Sequence, residues 1–169
     1  MEAYKHLKWL GKSVREKVTG VEGFVIAVSY DLYGCVQAEV KPSGVKQDGA
    51  PHDSKWFDVS RLTEGDAADV EVDVIDQEML REHFQTLGKR VLDRVSGSEC
   101  TIDNVCVTVS PRVIYSANYG LNDKGESIGS YWIEVCNAIV SDEVVMECPN
   151  YEFGLVAEGN HGSAERPLY

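Results

Sequence analysis

The chain lacks several features that would each point to a class of protein. No stretch of its 169 residues approaches the ~20 consecutive apolar residues of a membrane-spanning helix, so no membrane span is expected. No Cys-x-x-Cys pair occurs, and the five cysteines (Cys35, Cys100, Cys106, Cys136, Cys148) are an odd number. Small secreted scaffolds carry dense, even sets, so reduced thiols, mostly buried as small apolar side chains, are expected here. Cys100 and Cys106 would share one face of a continuous strand, too far apart along it for a disulfide. The histidines (His6, His52, His83, His161) are scattered, none at metal-ligand spacing from a cysteine. G-x-S-x-G, the P-loop, H-E-x-x-H and the Rossmann glycine fingerprint are all missing. No nucleophile–base pairing emerges from the spacing either. The expectation is a protein that is not an enzyme and needs no cofactor or metal.

Positive charge is scarce too: 16 Lys and Arg stand against 28 Asp and Glu, a net charge of −12. The deficit is unevenly spread. Residues 1–63 hold nine basic and eight acidic groups, and residues 87–140 hold five and six. Residues 64–86 hold one basic group against eight acidic, and residues 141–169 one against six. This divides the chain into two near-neutral modules (1–63 and 87–140), an acidic connector (64–86) and an acidic C-terminal strand and tail (141–169). The opening, MEAYKHLKWLGK, has neither the apolar run nor the small-residue cleavage site of a signal peptide, so a cytoplasmic location is expected.

What the sequence does contain is repetition. LGKSVREKVTG (10–20) returns as LGKRVLDRVSG (87–97), 77 residues on, with six of eleven positions identical. KWFDVSRL (55–62) returns as YWIEVCNA (131–138) at an offset of 76, pairing Trp56 with Trp132, Asp58 with Glu134 and Val59 with Val135. One residue is lost in the loop between. Upstream, HLKWLGK (6–12) aligns with HFQTLGK (83–89). Two anchored ends at a nearly constant offset imply internal duplication.

Within each copy the pattern is that of β-strands. Val14, Glu16 and Val18 alternate with Ser13, Arg15 and Lys17 and stop at Gly20. GFVIAVSYDLYG is rich in β-branched and aromatic residues, CVQAEVKP alternates and ends at Pro42, and SGVKQDGAPHDSK is a loop. Four to five short antiparallel strands in ~55 residues suit a small closed barrel. The expected fold is therefore mainly β: tandem duplicated SH3-like small barrels, joined by a connector strand and short helix, with a C-terminal extended arm. Each module is near the lower limit for an independent core, so the two should touch. Trp56 and Trp132 are expected in or near the two cores.

In the connector, DVEVDVID reads as a strand with Val70, Val72 and Val74 on one face and Glu71 and Asp73 on the other. DQEMLREHFQ then reads as a helix with Asp76 as N-cap and Met79, Leu80, His83 and Phe84 on one stripe, His83 partly buried and satisfied. After residue 141 one short strand gives way to a polar, glycine-punctuated tail, flexible alone or an arm within an assembly. Candidate partner-binding residues are Tyr30 and Tyr33 at a predicted turn, the acidic Glu71, Asp73 and Asp76, and the tail aromatics Tyr151, Phe153 and Tyr169, with Leu155 as a further anchor.

The first copy carries Lys17-Val18-Thr19-Gly20-Val21-Glu22-Gly23 and then Leu32-Tyr33-Gly34-Cys35-Val36-Gln37. Over residues 10–62 it resembles small proteins encoded by tailed phages and prophages that share a KVTGF-x-G segment followed by L-x-GC-x-Q. Here Val21 takes the place of the aromatic, and the second copy lacks the GC-x-Q element. The resemblance implies a phage origin and a small barrel, without an activity. A looser likeness to KOW motifs, through Gly11, Val14, Gly20 and Gly23, implies contact with RNA or RNA polymerase, for which Lys12, Arg15, Lys17 and Lys41 would serve. The net charge counts against nucleic acid.

The leading expectation is thus a non-enzymatic phage protein acting by protein–protein contact, as a virion component such as a head decoration or connector-associated protein. An alternative is a host-directed inhibitor whose acidic surface blocks a nucleic-acid-binding protein. Its partner would be a phage capsid or tail protein or a host protein, and a homo-oligomer is compatible. Its place would be the host cytoplasm or the assembled virion.

Overall fold

The computed structural model describes residues 5–73 and 76–148. Tyr151, Phe153, Leu155 and Tyr169, and Val74 of the expected connector strand, lie outside them. The fold is mainly β. After a 3-10 turn (Leu7–Trp9) come β1 (Ser13–Glu16), β2 (Glu22–Asp31), β3 (Val36–Pro42) and β4 (Lys55–Asp58). A second 3-10 turn (Val59–Arg61) then leads into β5 (Leu62–Glu64). The helix α1 (Gln77–Phe84) opens the second half, followed by β6 (Lys89–Asp93), β7 (Glu99–Thr108), β8 (Val113–Asn118) and β9 (Ser130–Glu134). A 3-10 turn (Val135–Asn137) leads into β10 (Ala138–Val144).

The two halves repeat one wiring. In the first, β1–β2–β3–β4 form an antiparallel meander and β5 returns to pair with β1. In the second, β6–β7–β8–β9 do the same and β10 returns to β6. In each half the last strand is reached through a 3-10 turn and pairs with the first, a small barrel-like arrangement. The single-residue loss can be placed. Registers through β3 and β8 keep the offset of 77 (Val25↔Val40 against Ile102↔Ala117), whereas the bridges Val45↔Pro51 and Leu121↔Ser127 stand 76 apart. The loss therefore falls just after Pro42 and Tyr119.

The halves are joined by main-chain hydrogen bonding. Strands β2 and β7 are long, and each has a register shift at the matching place, Val25/Ala27 and Ile102/Asn104. Beyond that bulge, which bends a strand, β2 leaves β1 and pairs antiparallel with β7, giving one ten-stranded sheet. In this pairing Ser29 faces Cys106, its own counterpart 77 residues on, flanked by Val28↔Val107 and Tyr30↔Val105. A residue opposite its own equivalent lies on a twofold axis, so Ser29/Cys106 marks a pseudo-twofold. The flanking bonds obey it: Leu32 N donates to Asp103 O at 2.7 Å, and Val109 N to Ile26 O at 2.8 Å.

The repeated motif has two separate structural causes. In Leu-Gly-Lys, the glycine takes a positive φ (Gly11 +75°, Gly88 +77°) and lets the chain that leaves the last strand cross closely. Val70 N donates to Gly11 O and Val145 N to Gly88 O, and a Cβ on either glycine would strike a backbone carbonyl oxygen, of Val70 or Met146. In Glu-Lys-Val-Thr-Gly, the buried Glu16 carboxylate closes the β1–β2 turn. It accepts from Val18 N, Thr19 N and Thr19 Oγ1 on one oxygen and from Arg61 Nε at 2.7 Å on the other. Asp93 closes the β6–β7 turn through Val95 N and Ser96 N and takes a bond from the Tyr119 hydroxyl at 3.0 Å.

Burial alone would raise the Glu16 carboxyl, but its bonds from Thr19, Arg61 and Val18 outweigh that and bring it from 4.5 down to about 2. A depressed carboxylate stabilises the fold above its unfolded value and loses that contribution as pH falls through its folded one. Glu16→Gln is therefore expected to melt below the parent at pH 7, with the gap closing between about pH 4.5 and about pH 2. Thermal melts of both proteins across that range check it. A gap independent of pH would show that the charge contributes nothing.

One core runs through both halves, including Leu10, Val14, Val28, Phe57, Leu80, Phe84, Leu87, Val91, Val105 and Ile133. Three expectations are corrected by it. Trp56 is only partly buried and Trp132 is 50% exposed, while the neighbours Phe57 and Ile133 fill the core. Tyr30 is 2% exposed, packed edge-on against Phe84 at 4.8 Å, because the turn begins two residues after it. The connector up to Asp73 forms no strand: Val70 is held at Gly11 and Val72 packs against the core, with Glu71 and Asp73 exposed. The helix is as expected, with Asp76 capping Met79 N at 3.3 Å. His83 lies 2.6 Å from the Tyr115 hydroxyl, and burial lowers its pKa. Met79, exposed, falls off the buried stripe.

Candidate functional site

The path β4–β3–β2–β7–β8–β9 is six strands wide, so its edges would stand roughly 24 Å apart if flat. Instead Trp56 on β4 and Trp132 on β9 stack at 6.1 Å between ring centroids and 19° between planes. The sheet is therefore curled. Trp56 is opposite Glu39, which is opposite Ala27. Trp132 is opposite Ser116, which is opposite Asn104. Side chains alternate along a strand, so both rings project on the Ser29/Cys106 face, and a contact between equivalents lies on the pseudo-twofold. The pair thus roofs a floor of Ala27, Ser29, Cys106 and Ser116, each under 7% exposed. Ser29 Oγ donates to Asn104 Oδ1 at 3.0 Å within it.

Four of the thiols are buried or partly buried, and Cys136 is exposed. Burial, then the charge of Glu39, pushes Cys106 up to about 12, and burial, then Asp31, pushes Cys148 up to about 11. Burial also raises Cys35 and Cys100. These four are protonated at neutral pH and poor nucleophiles. Among the described residues no group of three or more His, Cys, Asp or Glu side chains could hold a metal ion, and no helix is long and apolar enough to cross a membrane.

The two halves meet at a cleft of about 420 Å³. The first half supplies Leu32 and the 74% exposed Tyr33 from the β2–β3 turn. The second supplies Arg90, Asp103, Tyr119 and Met146, with Glu99 beside Arg90. Tyr33 stands out because Asp31 Oδ1 accepts from Tyr33 N at 2.8 Å and from Cys35 N at 2.9 Å, fixing the turn. Arg90 is fully engaged: Nε and Nη2 reach Glu143 at 2.8 and 2.9 Å, and Nη1 reaches Glu99 at 3.5 Å. Its hydrogen bonds to Glu143 raise the Arg90 pKa and lower that of Glu143. Asp103 accepts from Ser130 Oγ and from Asn104 Nδ2. One guanidinium thus stands among three carboxylates, and the cleft is net negative.

The first half has a cleft of about 410 Å³ beside the corresponding strands, of another character. Glu22 there matches Glu99, but Pro42, His52 and Lys55 stand where the second half has Tyr119, Ile128 and Tyr131. Lys46 is paired with Asp53 at 2.7 Å. Of the expected binding residues, then, Tyr33 lines the junction cleft, Glu71, Asp73 and Asp76 are exposed on the connector, and Tyr30 belongs to the core. The junction itself escaped sequence reasoning, since β2–β7 pairing is not encoded in either strand's own pattern. Protein-family models, curated proteins and solved structures yield no match to the chain.

Proposed function

We propose that the chain is a non-enzymatic protein acting through protein–protein contact, with the junction cleft as its binding site. One observation carries the reading: both halves of a single ten-stranded sheet build an open cleft lined by tyrosines and carboxylates, while four of the five thiols are held protonated. Aromatic side chains beside a polar rim are what a protein partner engages. The phage resemblance and the repeated wiring, read as duplication, favour a virion component, a head decoration or connector-associated protein. Mass spectrometry of purified particles should find the chain at a copy number tied to capsid or tail symmetry. Its absence from particles rejects that role.

The exposure of Glu71, Asp73 and Asp76 also supports the host-directed reading, in which the acidic connector covers a basic surface. That reading requires affinity that falls with salt and is lost on neutralising these three. The RNA reading is less favoured. Lys12 is paired with Asp69, Arg15 with Glu22, and Lys17 Nζ donates to Ser60 O.

A further inference from the structure

We infer that the junction cleft takes a cationic side chain, arginine or lysine, from an extended segment of the partner protein. This rests on the protein-binding reading and names its ligand. The cleft offers two aromatic rings, Tyr33 and Tyr119, a short apolar wall in Leu32 and Met146, and carboxylates at Glu99 and Asp103. Such a site suits a long aliphatic stem ending in a cation, which gains from ring faces and from carboxylates together. Arg90, the only arginine lining it among the described residues, is already bound in fork geometry to Glu143, so it repels an incoming cation little. At −12 overall, the chain also attracts cationic partners over longer range and repels a copy of itself.

The pseudo-twofold provides an internal control. Proline stands at 42 where the second half has Tyr119, lysine at 55 where it has Tyr131, and serine at 110 where the first half has Tyr33. The same wiring closes with either set, so the fold does not require aromatics around this cleft. Tyr119 has a structural share through its bond to Asp93, whereas the Tyr33 side chain is largely exposed, as a contact residue would be.

The test uses the full chain and a blocked Gly-Arg-Gly tripeptide, with its citrulline analogue as the uncharged isostere, followed by amide chemical shifts. Perturbation at residues 32–33, 99–103 and 118–120 by the arginine peptide alone is expected, weakening with salt. Glu99→Gln with Asp103→Asn should weaken it about tenfold, and Tyr33→Ala roughly threefold. Equal binding of the citrulline peptide would overturn the inference. So would shifts confined to the connector around Glu71 and Asp73, or cleft shifts that appear with protein concentration alone and identify a second copy as the occupant. The peptide result is independent of particle composition. Absence from virions with an intact arginine response removes the virion role and leaves the cleft, and the reverse outcome removes only the cation.

Discussion

Replacing Gly11 with alanine is expected to lower the unfolding free energy by about 3 kcal/mol, combining left-handed backbone strain with overpacking. At φ +75° the new Cβ would meet the Val70 carbonyl oxygen and the Val72 side chain, and backbone cannot yield as a side-chain tip can. Gly88→Ala meets the Met146 carbonyl oxygen in the same way at φ +77°. Gly97→Ala is the control, since Gly97 shares the positive φ but has nothing within 4 Å. It should lose only the backbone term, about 1 kcal/mol. Urea denaturation of the three variants decides the matter. Equal losses at all three sites would mean that the crossing strap is not held against the glycines.

Phe57→Ala is expected to destabilise by about 3–5 kcal/mol, and Trp132→Ala by less. Phe57 is 8% exposed within the common core, whereas Trp132 is half in solvent and contributes a ring stack of about 0.5–1.5 kcal/mol beyond its burial. Removing Trp132 should have a separate chemical effect. Cys106, 1% exposed beneath the roof, should begin to react with a thiol reagent under native conditions, while burial is expected to keep it inert in the parent. A larger stability loss at Trp132 than at Phe57, with Cys106 still inert, would refute the placement of the two rings outside the core.

The strands were legible because their signals are local. Alternation at Val14 and Glu16, the β-branched run ending at Asp31, and the stop at Pro42 lie in the sequence within a few residues of the bonds they make. The helix was legible for the same reason, through Asp76 and the spacing of Leu80, His83 and Phe84. The connector misled because alternation is necessary for a half-buried strand and not sufficient. Without a strand to pair with, residues 70–73 form no strand, and Val70 is held at Gly11. The tryptophans misled through size: the largest apolar residue of a repeated motif is a natural core candidate, yet parity along β4 and β9 gives the core to Phe57 and Ile133.

By itself the sequence determined the repeated wiring. Paired motifs at offsets of 77 and 76, a glycine where each strap crosses and a carboxylate where each first hairpin turns are short-range requirements, written into neighbouring residues. Only the tertiary structure decided that the halves share one sheet, that Ser29 meets Cys106 on an axis, and that a cleft opens between Tyr33 and Tyr119. The reason is that main-chain donors and acceptors are alike at every residue. Which strand edge pairs with which depends on burying both halves together, a balance no single segment carries.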